Sequence, residues 1–120
     1  MSTVLVVEDT LTQAEIIAGT LRNAGYTVQV ATSGEEARLK ISQQKPKLII
    51  LDVVLPGESG FELCRELKDK AETKDIPIVM CSTKSGEMDK FWGMKQGAAA
   101  YLTKPVNADE LVRTVGLLVK

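Results

Sequence analysis

Apolar residues follow two rhythms along this chain, and their alternation predicts its architecture. Five short apolar runs, Thr3–Val7, Tyr26–Ala31, Lys47–Leu51, Ile76–Cys81 and Ala99–Leu102, are separated by longer stretches of helical periodicity. Three of them contain unbroken apolar segments: Val4-Leu5-Val6-Val7, Leu48-Ile49-Ile50-Leu51 and Ile78-Val79-Met80-Cys81. Such segments mark parallel strands covered on both faces, since neither face meets water. Tyr26–Ala31 alternates, with Thr27 and Gln29 polar, and is expected at a sheet edge.

The intervening stretches carry helix start and stop signals. Thr12-x-x-Glu15 is expected to open the first helix as a capping box, and Asn23-Ala24-Gly25 to close it. Ser33-x-x-Glu36 opens the second, which ends before Pro46. Ser59-x-x-Glu62 opens the third, with Phe61, Leu63, Cys64 and Leu67 as its buried stripe. A fourth runs from about Glu87 to Gln96, with Met88, Phe91 and Met94 expected inside. Asn107-x-x-Glu110 opens the last, which lines up Leu111, Val112, Val115, Leu118 and Val119. Strands that alternate with helices in this way require right-handed crossovers and a parallel sheet. The prediction is a doubly wound α/β domain of the (βα)5 type over residues 1–120, with no output domain in the chain.

The informative residues lie just past the apolar runs. In an open parallel sheet, ligands bind outside the carboxyl ends of the strands. The first run leads into Glu8-Asp9, the third into Asp52, the fourth into Ser82-Thr83 and the fifth into Thr103-Lys104-Pro105. Parallel strands bring these positions to one edge. Singly, Asp9 or Thr10 reads as a cap of the first helix, Glu8 as a rim residue, Lys104 as a surface lysine and Ser82 as a loop hydroxyl. Asp52 is harder to dismiss, because a carboxylate flanked by apolar residues on both sides is unfavourable unless paired or metal-bound. Together the three carboxylates repel one another unless a cation is near. An all-oxygen set suits Mg²⁺, and the Lys104 ammonium would neutralise an incoming phosphoryl group. Asp52 is the best placed to act as a nucleophile, forming an aspartyl phosphate.

Composition narrows the chemistry further. The 120 residues include no histidine, which excludes Ser-His-Asp and Cys-His catalysis and histidine-ligated metals. A net charge of −1 gives no footprint for nucleic acid. Cys64 and Cys81 sit in apolar patterns and are expected as buried, reduced thiols. No apolar stretch approaches the ~18 residues of a membrane span, and no signal segment is visible. Membrane insertion is therefore not expected, and a cytoplasmic location is.

Four segments in combination resemble the receiver domain of bacterial response regulators of the chemotaxis-protein type. They are Val6-Val7-Glu8-Asp9, Leu51-Asp52-Val53-Val54-Leu55-Pro56-Gly57, Ser82, and Tyr101-Leu102-Thr103-Lys104-Pro105. The resemblance covers essentially the whole chain and carries over the flavodoxin-like strand order 2-1-3-4-5. It implies that Asp52 accepts a phosphoryl group from a histidine kinase or phosphotransfer protein. Mg²⁺ would be held by Glu8, Asp9, Asp52 and the backbone carbonyl of Val54. Lys104 would pair with the phosphoryl oxygens, Ser82 would swing in to one of them, and Tyr101 would follow by changing rotamer. A downstream protein would dock near the fourth helix, fifth strand and fifth helix. The Lys104-Pro105 bond is expected to be cis. A core role for Tyr101 stays open at this point.

Some positions depart from the commonest family pattern. The acidic pair is Glu-Asp, and the longer Glu8 can reach a metal through water. Val54 has no side chain to orient water, so slow self-dephosphorylation is expected, and Thr83 is larger than the residue often found there. The stretch Phe91-Trp92-Gly93-Met94-Lys95-Gln96-Gly97-Ala98 also resembles twitching-motility receivers, with Trp92 either a partner contact or a packing residue. The expectation is a stand-alone phosphoacceptor switch, not an enzyme acting on external substrates. Three alternatives compete with it. An aspartyl-phosphate hydrolase would need an acid where Val54 stands, and a flavin-binding module would need a phosphate loop where Glu8-Asp9 stands. The third is a receiver-like interaction module that works without phosphorylation.

Overall fold

The structure, a computed structural model, describes residues 3–119. Its main sheet is built from β1 (Thr3–Val7), β2 (Thr27–Ala31), β3 (Leu48–Leu51), β6 (Ile78–Ser82) and β7 (Ala100–Thr103). All neighbouring pairs are parallel and the order is β2-β1-β3-β6-β7. Counting only these strands, that is 2-1-3-4-5, and the alternating strand is at an edge, as the patterning predicts. Between β3 and β6 a small antiparallel pair, β4 (Val54–Leu55) and β5 (Glu58–Ser59), begins two residues after Asp52. This hairpin was not anticipated. Its strands are two residues each, too short for a period-two signal, and its turn carries Gly57 at φ 74°.

Period-two geometry sorts each strand's side chains between two cores. Val4, Val6, Leu48, Ile50, Val79 and Cys81 pack on one face with Ala14, Ile17, Leu21, Leu111 and Val115. Those partners come from α1 (Leu11–Asn23) and α5 (Ala108–Leu118). Leu5, Val7, Ile49, Leu51, Ile78 and Met80 face the opposite way, toward α2 (Gly34–Gln43) and α3 (Gly60–Asp69). The continuous runs are thus explained by two buried faces.

Local signals held in part. The Ser33 side chain accepts from Glu36 N and that of Asn107 from Glu110 N, as expected. Ser59 caps α3 by accepting from Phe61 N. The first helix, however, begins at Leu11 with Thr10 as its cap residue, ahead of the expected Thr12 box. The reason lies in the site: Glu8 Oε2 accepts the Thr10 N–H at 3.1 Å and fixes the turn before the helix.

The fourth helix, α4 (Glu87–Lys95), overturns the expected stripe. Met88, Phe91, Trp92 and Met94 are all exposed, at 75, 57, 49 and 46%. Only Gly93 is buried in this helix, with Asp89 and Gln96 half-buried on the same side. The Tyr101 ring occupies the seat against the sheet, so close that a Cβ on Gly93 would lie 2.9 Å from Tyr101 Cδ2. The helix therefore presents its smallest residue inward.

An ion-pair clamp secures the β4–β5 hairpin. Arg38 on α2 donates to both carboxylate oxygens of Glu58 on β5, at 2.7 and 3.1 Å. It also donates to both oxygens of Glu66 on α3, at 2.8 and 2.9 Å. Two bidentate pairs on one planar guanidinium fix orientation as well as distance. The Arg38 hydrogen bonds, with one from Lys70, hold the Glu66 carboxyl down at about 2, against 4.5 for the free group. Such a contribution is complete above the unfolded value and fades as pH falls toward the folded one. Urea unfolding of Arg38→Met should therefore show a loss of about 1 kcal/mol at pH 7, discounted for solvent exposure of the pair. The gap to wild type should close between pH 4.5 and pH 2. A gap unchanged at pH 2.5 would assign the effect to packing alone.

Candidate functional site

Strand order decides what meets at the carboxyl edge of the sheet. Glu8 follows β1, Asp52 follows β3, Ser82 ends β6 and Lys104 follows β7. Glu8 and Asp52 are neighbours across the β1–β3 pair, and Asp52 N donates to Val7 O at 3.1 Å. Lys104 N donates to Ser82 O at 3.0 Å, which seats the fifth strand end beside the fourth. Gly60 clears the ground beneath: its Cβ would collide with the Asp52 carbonyl oxygen, and its N–H donates to Val53 O at 2.6 Å. The Lys104-Pro105 bond is cis, as expected.

The Lys104 ammonium is the centre of the cluster. It donates to Glu8 Oε1, to Asp52 Oδ2 at 2.9 Å and to Gln13 Oε1 at 2.6 Å. The lysine side chain is only 8% exposed, against 3% for Glu8 and 10% for Asp52. Burial works against the charged lysine, but its hydrogen bonds to Glu8 and Asp52 outweigh it and hold the ammonium above its ordinary range. At Glu8 burial dominates and raises the carboxyl, despite the Lys104 and Thr10 hydrogen bonds. Burial also pushes Asp52 upward, yet the Lys104 and Val54 N–H hydrogen bonds prevail and keep it below its ordinary value. The Lys104 and Val54 N–H hydrogen bonds thus favour the carboxylate form of Asp52, the form a nucleophile needs.

Asp9 does not cap the first helix. It stays exposed beside the cleft, and Glu8, far from being a rim residue, is buried. One carboxylate oxygen from each of Glu8, Asp9 and Asp52 lies within 4.8 Å of the others. Oxygens around one Mg²⁺ at about 2.1 Å stand no more than ~4.2 Å apart, so small side-chain movements would close the set. Three carboxylates face one ammonium here, and the donors are all hard oxygens. The residues fit a divalent cation.

Ser82 is fully buried, and its hydroxyl accepts from Lys84 N at 3.3 Å. Tyr101 is half-buried; its ring packs against the α2–α3 core and its hydroxyl donates to Lys84 O. Ser82 and Tyr101 thus meet at the same residue of the β6–α4 loop. Thr83 is exposed. Cys64 and Cys81 are free and buried, and burial pushes their thiols up to about 11 and about 12. One residue of the cluster escaped sequence reading: Gln13 lies on a helix, without a strand-end position to flag it.

Residues 4–116 match the response regulator receiver domain family. The chain belongs to that family. It is 38% identical to Protein PilH of Pseudomonas aeruginosa over 115 residues, 96% of this chain and 95% of PilH. A crystal structure from Chloroflexus aurantiacus J-10-fl that carries a response-regulator assignment superimposes with a TM-score of 0.94 at 40% identity, over 98% of this chain and 97% of that one. The Mn²⁺-bound form of response regulator Rcp1 gives a TM-score of 0.81 at 27% identity, over 96% and 89%. This receiver's site should answer to divalent cations. Added MgCl₂ should raise the thermal midpoint, by up to about 3 kcal/mol of stability at a hundredfold excess over Kd. Asp9→Asn should blunt the rise, and NaCl at equal ionic strength should not reproduce it.

Proposed function

We propose that this receiver is a phosphorylation switch, with Asp52 as the acceptor and a histidine kinase or phosphotransfer protein as the donor. The observation that carries the reading is the Asp52 side chain held by Lys104 and the Val54 N–H inside a cleft of three acidic residues. An Asp52 oxygen attacks phosphorus, the O–P bond forms, and the P–N bond to the donor imidazole breaks with the electron pair leaving on nitrogen. The imidazole takes up a proton as it departs. Lys104 stands ready to balance charge on the transferred group. Glu8, Asp9, Asp52 and the Val54 carbonyl are the residues that would hold Mg²⁺, which when bound neutralises phosphoryl charge; the Mn²⁺ form of Rcp1 supports this assignment.

Ser82 and Tyr101 would carry the change outward. Their shared contact with Lys84 links the buried hydroxyl to the ring that packs under α4. The altered surface would be α4, β7 and α5, read by a downstream protein. The exposed Trp92 belongs to that surface as a contact residue, and the likeness to PilH supports a chemotaxis-like motility system. The chain would work in the cytoplasm as a signalling module and not as an enzyme on external substrates. Its buried free thiols are consistent with that compartment.

Incubation with acetyl phosphate and MgCl₂ should add one phosphoryl mass to the intact protein, and Asp52→Asn should abolish the adduct. An undiminished adduct on Asp52→Asn would move the acceptor elsewhere. Val54 is 52% exposed at the mouth of the site and places no polar atom there beyond its backbone. Val54→Asn should shorten the aspartyl-phosphate lifetime on the order of tenfold, below the ~100-fold of a full general base. Equal lifetimes would remove Val54 from the account of slow hydrolysis.

A further inference from the structure

The third partner of Lys104 is Gln13, an uncharged side chain. An ammonium has three N–H donors, and here each has an acceptor: Glu8 Oε1, Asp52 Oδ2 and Gln13 Oε1. Two of these are carboxylates of the acidic cluster, which a cation or, at Asp52, a phosphoryl group would engage. Gln13 is not one of them. It comes from α1, 91 positions away in sequence, and is half-buried on a helix held to the sheet by fully buried Ala14 and by Ile17. Its neighbours Leu11 and Ile16 are more than 60% exposed, so the inward-facing amide is not a general feature of this stretch.

We propose that Gln13 is a positioning residue for phosphoryl transfer: its amide oxygen keeps the Lys104 ammonium aimed into the cleft when Glu8 and Asp52 turn to other partners. This rests on Asp52 being the phosphoryl acceptor. A neutral acceptor suits the task. It neither competes for the cation nor repels the anionic donor, as a fourth carboxylate would. Its 2.6 Å contact gives the ammonium one bond that phosphorylation does not remove.

Gln13→Met keeps the length and apolar stem of the side chain and deletes the acceptor. Phosphorylation by acetyl phosphate with MgCl₂ should slow about fivefold, the rate equivalent of one ordinary hydrogen bond. The Mg²⁺ dissociation constant should change less than about twofold, because Gln13 is not in the acidic cluster. In a Lys104→Met background the same substitution should make no further difference. ¹⁵N NMR of the metal-free, unphosphorylated protein gives a readout apart from activity. The Lys104 ammonium signal, assigned by its loss in Lys104→Met, should broaden in Gln13→Met through faster exchange with water. A wild-type rate together with an unchanged signal would overturn the proposal. So would an equal slowing in the Lys104→Met background, which would mean that Gln13 acts by another route. Should the wild-type protein take no phosphoryl group, the proposed function fails, and the NMR comparison alone decides whether Gln13 holds Lys104.

Discussion

Lys104 joins strand ends that the sheet alone would leave apart. Its ammonium sits between the carboxylates following β1 and β3, although Lys104 itself follows β7, with β6 in between. Two strand spacings are roughly 10 Å, so the long lysine stem has to cross the end of β6 to make the contact. Buried ions are unfavourable unless paired with good geometry, and loss of one partner strands the others. The carboxyl edge of this sheet therefore depends on one side chain. The Lys104 N–H bond to Ser82 O and the Gln13 amide both bear on where that ammonium lies.

A second set of contacts fixes the surroundings of Asp52. The β4–β5 hairpin carries Val54 two residues after Asp52, and Arg38 ties its Glu58 to α2 and α3. Gly60 allows the start of α3 to press against the Asp52 carbonyl. On the far side, Gly93 lets α4 close over Tyr101. That packing leaves the apolar residues of α4 exposed.

Much of the fold was legible before any coordinates. Unbroken Val/Leu/Ile runs mark doubly covered strands because both faces exclude water, and Ser33 and Asn107 announce helix starts through local side-chain-to-backbone bonds. The convergence of Glu8, Asp9, Asp52 and Lys104 was legible because strand ends share an edge in any parallel sheet. Three features were not legible. The choice of Thr10 over Thr12 at the start of α1 is made by Glu8, which a distant buried cluster holds and which in turn holds the turn. The α4 stripe fails because periodicity reports which residues are apolar, whereas Tyr101 decides which face is inward. Gln13 is silent because its partner lies 91 residues away.

The sequence by itself therefore determined the layers, the strand that lies at an edge and the residue types gathered at one end of the sheet. These follow from short-range periodicity and from chain direction, which act within a few residues. Only the tertiary structure decided that burial and hydrogen bonds move Glu8 and Asp52 in opposite directions, what completes the coordination of the Lys104 ammonium and which face of α4 meets solvent. Burial, charge separation and steric fit depend on atoms that converge from four strand ends and three helices, and no local stretch of the chain records those distances.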